Sequence, residues 1–154
     1  MMENSGVLHY PSVSPFLFIA GADTAIDFYR GVFDATERIR VLEPDGRIGH
    51  AELQIGDSVV MLADEFPEHG APGPRSVGGT PVAISVHVDD VDEVFHRALA
   101  GGSRALREVA DETYGDRVGM FEDPFGHRWM VSTHIERLPV DEIIRRASAT
   151  REPA

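Results

Sequence analysis

The hexapeptide "RIGHAE" occupies residues 47–52, and "RVGMFE" occupies residues 117–122. Arg, Gly and Glu recur at one spacing, and the surroundings recur with them. Ser14-Pro15 aligns with Thr80-Pro81, Phe28 and Arg30 with Phe95 and Arg97, and Gly56 with "VVML" aligns with Gly126 and "RWMV", allowing single-residue gaps. An internal repeat constrains a chain of 154 residues more than any other feature it carries. One copy has too few residues to close a core, so two copies should pair.

Periodicity fills in each copy. "SPFLFIAG" reads as a buried strand running into a glycine turn. In "DTAIDFYRGVF", Ile26, Tyr29 and Phe33 recur at helical spacing, with Asp23 as the expected N-cap. "ERIRVLE" is a strand, "PDG" a turn, "RIGHAELQI" a half-buried strand, Gly56-Asp57 a tight hairpin, and "SVVML" the return strand. The order is β-α-β-β-β. Residues 64–79 are rich in Pro and Gly and read as a linker or a mobile lid. The pattern then restarts with "TPVAISVHV". The helix that follows carries Asp90 and Glu93 at capping-box spacing and Gly101 as its stop. The expected organisation is a first βαβββ module over 12–63, a linker over 64–79, a second module over 80–137, and a C-terminal helix and tail over 138–154. The fold class is α+β.

Charge narrows the partners. Fourteen basic residues, all arginine, face 26 acidic ones, for a net charge of -12. Nucleic-acid backbones and anionic membranes call for a positive surface, so both are set aside as partners. Zero cysteines exclude disulfides, thiolate metal sites and a cysteine nucleophile, and fit a reducing compartment. The N-terminal stretch lacks a basic region followed by an apolar run, and no segment approaches membrane-spanning length. The expectation is a soluble, cytoplasmic protein.

Paired β-α-β-β-β modules with "FYRGVFDA" early and "YGDRVGMFEDPFGHRW" late resemble the vicinal oxygen chelate (VOC) superfamily of glyoxalases, extradiol dioxygenases, fosfomycin-modifying enzymes and bleomycin-binding resistance proteins. "GHAELQIGDSVVMLADE" and "YGDR…DPFGHRW" are most similar to its PhnB-like group. The resemblance covers about residues 12–137. It implies two curved sheets forming an open barrel around a cavity, and a homodimer. Whether the modules pair within one chain or across a dimer is left open. Metal enzymes of the superfamily place His or Glu ligands near the start of each module's first strand and in each module's last strand. The matching positions here are Pro15, Met61, Pro81 and Met130. Proline has no side-chain donor, and a thioether suits hard divalent ions poorly. No metal is therefore expected at the usual positions, and no other cofactor is implied.

Strand alternation assigns the cavity wall. Ala51, Leu53, Ile55, Val60 and Leu62 should lie under the first helix, with Trp129 and Val131 under the second. The opposite face should then present Leu17, His50, Glu52, Gln54, Val59 and Met61 in the first module. In the second it should present Ala83, Ser85, His87, Met120, Glu122, Arg128, Met130 and Ser132. Tyr114 either stacks on a planar ligand at the cavity mouth or caps the core. Arg128 is expected to pair with Glu122 or to reach an acidic ligand, and Arg117 to meet Asp116 in a turn or to clamp an anion. His50 and Glu52 sit about 7 Å apart along one strand face. They either bind a ligand or water, or act as a general base with its orienting partner. As metal ligands they would need a third group such as Glu122 or His87.

Two functions follow from this cavity. One is metal-independent binding of a hydrophobic or aromatic small molecule, such as sequestration of an antibiotic or metabolite, with the methionines as adaptable wall. The other is a glyoxalase-like lyase or isomerase, or an oxygenase, with its site relocated to His50 and Glu52, the only catalytic candidates. An accessory subunit with a vestigial cavity is the third possibility.

Overall fold

The computed structural model describes residues 6–149. They divide into two compact units that meet at Gly73 and Pro74. The first carries β1 (Phe16–Ile19), α1 (Ala22–Phe33), β2 (Thr36–Leu42), β3 (Ile48–Ile55) and β4 (Ser58–Asp64). The second opens with the short α2 (Pro74–Val77). It continues through β5 (Ala83–His87), α3 (Val91–Ala100), β6 (Arg104–Asp111), β7 (Asp116–Glu122) and β8 (Arg128–His134) to α4 (Val140–Ala149). Both sheets have one topology: β1-β4-β3-β2 in the first and β5-β8-β7-β6 in the second. In each, the first strand runs parallel to the last and the remaining pairs are antiparallel. The repeat in the sequence is therefore a repeat of the βαβββ unit.

Each module buries one sheet face under its helix. In the first, Ala22, Ala25, Ile26 and Tyr29 of α1 and Ala51, Leu53 and Leu62 of the sheet are all fully buried. Register puts Ala51 beside Leu62 and Leu53 beside Val60, so these four share the helix face. In the second module Trp129, Val131 and Phe121 form the same layer, packed by Phe95 of α3. Gly119 lets that helix approach: a Cβ there would lie 2.8 Å from Val109 Cγ2 and 2.9 Å from Phe95 Cδ2.

Helix starts depart in part from expectation. Asp90 caps α3 by accepting from the Glu93 N–H at 3.2 Å, and Gly101 ends that helix, as the spacing predicts. Asp23 does not cap α1. The N-cap is Gly21, in the left-handed region, and the Ala22 N–H donates instead to Asp64 Oδ1 at the end of β4.

The Pro/Gly-rich stretch is not a free linker. Glu65 N–H donates to Ile19 O, Phe66 bridges to Ala71, and residues Pro67–His69 form a single 3₁₀ turn. The Gly73 N–H donates to Glu65 Oε1. Gly73 also lies so close to β1 that a Cβ would sit 2.9 Å from Phe18 O. Backbone and carboxylate hydrogen bonds fold residues 64–73 back onto the first module.

Candidate functional site

On the face of the first sheet turned away from α1, register groups Glu52 with Met61 and Gln54 with Val59. His50 lies two residues before Glu52 on the same face. Leu17 does not join them. It pairs with Leu62, on the helix side, and is buried there. Phe16, beside Met61, and Phe18, beside Ala63, take the open face. The Phe16 and Phe18 rings are 5.1 Å apart, and Phe16 is 5.6 Å from the His50 ring. Register also revises the first-strand comparison between modules. Phe16 is the partner of Met61 and Ser85 the partner of Met130, so these two are equivalent, and Pro15 and Pro81 are not. Pro15 contributes only its carbonyl, which accepts from Met61 N–H.

Glu52 is the unusual residue of this face, a carboxylate with 1% of its surface exposed. His50 Nε2 lies 2.8 Å from its Oε2, and the Tyr10 hydroxyl donates to the same oxygen at 2.9 Å. Arg38 of β2 approaches the other oxygen, with Nε 3.7 Å from Oε1. A carboxylate only accepts, so His50 Nε2 carries a hydrogen in this contact. Arg38 also donates to the His9 carbonyl at 2.8 Å, and its guanidinium lies 5.0 Å from the Tyr10 ring centre. The cluster is incomplete: Glu52 Oε1 and Arg38 Nη1 are buried without a hydrogen-bond partner. Buried polar atoms are nearly always paired, so two such atoms together mark a place where a further polar group fits. Contact with Glu52 raises the Tyr10 pKa. Its hydroxyl donates to the carboxylate, and burial and the nearby negative charge act in the same direction.

Sequence reasoning missed Tyr10 and Arg38, and also a cleft of about 480 Å³ in the same module. Phe18, Glu43, Asp45, Arg47, Phe66 and His69 are among its walls. Arg47 lies 4.0 Å over the Phe66 ring and pairs with Asp45 and Glu68. The Arg47 backbone N–H, and then its guanidinium, hold the Asp45 carboxyl below the usual range, and the guanidinium does the same for Glu68.

In the second module Ser85 lies beside Met130, His87 beside Ser132, Met120 beside Met130 and Glu122 beside Arg128, all on the face away from Trp129. Glu122 pairs more closely with Arg104, at 3.1 Å, than with Arg128, at 3.9 Å. Arg117 pairs with Asp92 and Asp111, not with Asp116, which meets His134 Nδ1 at 2.6 Å. The reason is direction: Arg117 and Asp116 are neighbours on a strand and point to opposite faces. His87 Nδ1 lies 2.7 Å from Ser132 Oγ, and the His87 and His134 rings are 4.6 Å apart. Tyr114 is half-buried, and burial raises its pKa. Glu122 and His87 belong to this unit, whereas His50 and Glu52 belong to the other. Among the described residues, no three His, Asp or Glu side chains gather as a metal-binding group. No helix among them is long and apolar enough to cross a membrane.

Duplicated βαβββ modules, each with polar groups on its open sheet face, define the class of fold, while the chemistry must be argued from the site. The family model described as the Glyoxalase/Bleomycin resistance protein/Dioxygenase superfamily matches residues 9–131, and the chain belongs to that superfamily. The uncharacterized protein Rv0887c of Mycobacterium tuberculosis is 43% identical over 136 residues, covering 86% of this chain and 80% of that one. Solved structures that share the fold include two of note. FosX of Listeria monocytogenes, a fosfomycin resistance protein crystallised with Mn(II) and sulfate, has a TM-score of 0.64 at 15% identity, covering 91% of this chain and 99% of that one. The PhnB protein of Bacillus cereus has a TM-score of 0.63 at 19% identity, covering 80% and 99%.

Proposed function

We propose that the open face of the first module binds an aromatic small molecule, without a metal at the positions that metal enzymes of the superfamily use. The observation that carries this reading is the buried Glu52, whose Oε1 accepts no hydrogen bond and lies on a face also bearing Phe16, Phe18, His50 and Met61. Aromatic and thioether side chains supply an adaptable apolar wall, and the carboxylate supplies orientation. The strand positions beside one another on the open faces, Phe16 with Met61 and Ser85 with Met130, offer no imidazole or carboxylate to a hard cation. Sequestration of an antibiotic or metabolite is the physiological form of this proposal. Its remaining elements are a PhnB-like affiliation, resting on the quoted motifs, and a homodimer, suggested by Phe16, Ile39 and Val41 left exposed. A cytoplasmic location rests on the cysteine-free sequence.

The test is calorimetric titration with a panel of aromatic compounds, with and without chelator, on protein also assayed for bound metal. Saturable binding indifferent to chelator and weakened by Glu52→Gln is expected. Stoichiometric metal that disappears in His50→Ala would overturn the reading. The 2.8 Å contact between His50 and Glu52 favours one alternative, in which His50 is a general base oriented by Glu52 in a lyase, isomerase or oxygenase. Turnover abolished by His50→Gln, with ligand affinity retained, would establish it.

A further inference from the structure

The cluster around Glu52 contains a group that has no structural need to be there. Tyr10 lies six residues before β1, in a segment with no helix or strand, and half of its surface is exposed. What holds it is the set of contacts that a free phenol would make. Its hydroxyl donates to Glu52 Oε2, and the Arg38 guanidinium lies against the ring. Arg38 further ties the backbone through His9 O. A chain segment that can leave without disturbing a sheet, bound by ligand-like contacts to a buried carboxylate, is an internal ligand.

We infer that Tyr10 is a displaceable occupant of the Glu52 site, and that the ligand class this site recognises is a phenol. The inference rests on the aromatic-binding reading and narrows it. A phenolic hydroxyl is a good donor to a carboxylate, stronger than a neutral donor–acceptor pair. A guanidinium beside the ring face adds a cation–π contact. Tyr10 also leaves hydrogen-bonding capacity unused, because Glu52 Oε1, an ion-pair neighbour of Arg38 at 3.7 Å, and Arg38 Nη1 make no hydrogen bond. A free phenol can settle deeper than a tethered one. Lifting Tyr10 off breaks no ladder hydrogen bond, since the sheet begins at Phe16.

The experiment compares p-cresol, which is the tyrosine side chain, with toluene, which lacks the hydroxyl, by ligand-observed NMR on the full chain. Wild type, Tyr10→Ala, Tyr10→Phe and the double variant Tyr10→Ala/Glu52→Gln are used. Tyr10→Ala is expected to bind p-cresol roughly tenfold more tightly than wild type, because a competing tethered group has gone. It should prefer p-cresol to toluene, and the Glu52→Gln change should erase that preference. Tyr10→Phe should fall between wild type and Tyr10→Ala. Equal p-cresol affinity in wild type and Tyr10→Ala overturns the internal-ligand inference. Equal binding of p-cresol and toluene overturns the phenol assignment while leaving aromatic binding in place. A p-cresol preference in Tyr10→Ala, with no aromatic bound by wild type, keeps the phenol assignment but overturns the displacement of Tyr10 and fails the broader reading.

Discussion

Asp64 at the end of β4 and Thr133 near the end of β8 do the same task with different chemistry. Asp64 Oδ1 accepts from the N–H of Ala22, the first residue of α1, and Thr133 Oγ1 accepts from the N–H of Val91, the first residue of α3, each at 2.9 Å. Asp64 also takes the Ile48 N–H at the start of β3, and the Thr133 hydroxyl passes its own hydrogen to Val88 O. In both modules the last strand tethers the helix that covers its own sheet. Loss of a helix-start acceptor costs about 1 kcal/mol. Asp64→Ala and Thr133→Val should each lower unfolding free energy by about that much, Asp64→Ala by more because two donors lose their partner. Denaturant titration measures it, and an unchanged midpoint in both would refute the tether.

Gly119 and Gly31 should respond oppositely to alanine. At Gly119 the added methyl meets Val109 and Phe95 at under 3 Å, and overpacking of this kind costs about 1–3 kcal/mol. At Gly31, in α1, nothing lies within 4 Å, so alanine should stabilise by about 0.5–1 kcal/mol through helix propensity. Thermal melts of the two variants decide it. A stable Gly119→Ala protein would mean that α3 does not pack so closely on β7.

Asp123 organises the turn before β8. It is buried, and its carboxylate accepts from Phe125 N–H, His127 N–H and the Trp129 indole N–H, each at 2.9 Å. Trp129→Phe keeps most of the apolar volume but removes one donor from a buried anion. We expect a loss of about 1–3 kcal/mol. A much smaller change in the unfolding midpoint would show that water replaces the indole.

Two pH dependences have opposite signs. The Tyr10 pKa is raised in the folded protein, so its contact with Glu52 is fully present below the ordinary tyrosine value and is lost as pH rises through the higher folded value. The phenolate absorbance of wild type minus Tyr10→Phe should therefore develop above a pH of about 10. An ordinary midpoint would count against the hydrogen bond. Glu142 on α4 is drawn down to about 2 by its contacts with Arg145 and then Arg146. Its ion pairs are intact above the ordinary glutamate value and are lost as pH falls toward 2. The carboxyl chemical shift of Glu142 against pH tests this directly.

Much of this was legible in the sequence where alternation is strict. In "HAELQ" apolar and polar residues take turns, so the faces of β3 follow, and pairing across the tight Gly56-Asp57 hairpin carries them to β4 and to the company of His50, Glu52, Gln54 and Met61. In β1, "FLFI" has four apolar residues in succession, and no period distinguishes its faces. The sequence therefore cannot tell Leu17 from Phe16 and Phe18, and it is these two that stand on the open face. The prolines misled for a related reason. Pro15 adjoins β1, whereas Pro81 lies two residues before β5, so matching them shifts one first strand along the other. Asp64 gave no signal as a helix cap because it is 42 residues from the N–H it binds. Tyr10 and Arg38 were invisible because their importance comes from Glu52, whose burial no local pattern announces.

An occupant tethered to its own receptor has a consequence for dose. Five residues separate Tyr10 from β1, a short leash, and such tethers hold an attached group at an effective concentration on the order of millimolar. A free competitor with the same contacts would have to approach that concentration before it displaced the side chain. The first module would then ignore traces of weakly bound phenols and respond only to abundant or intrinsically tighter ones, so that the length of the leash, rather than the site alone, sets the threshold of response.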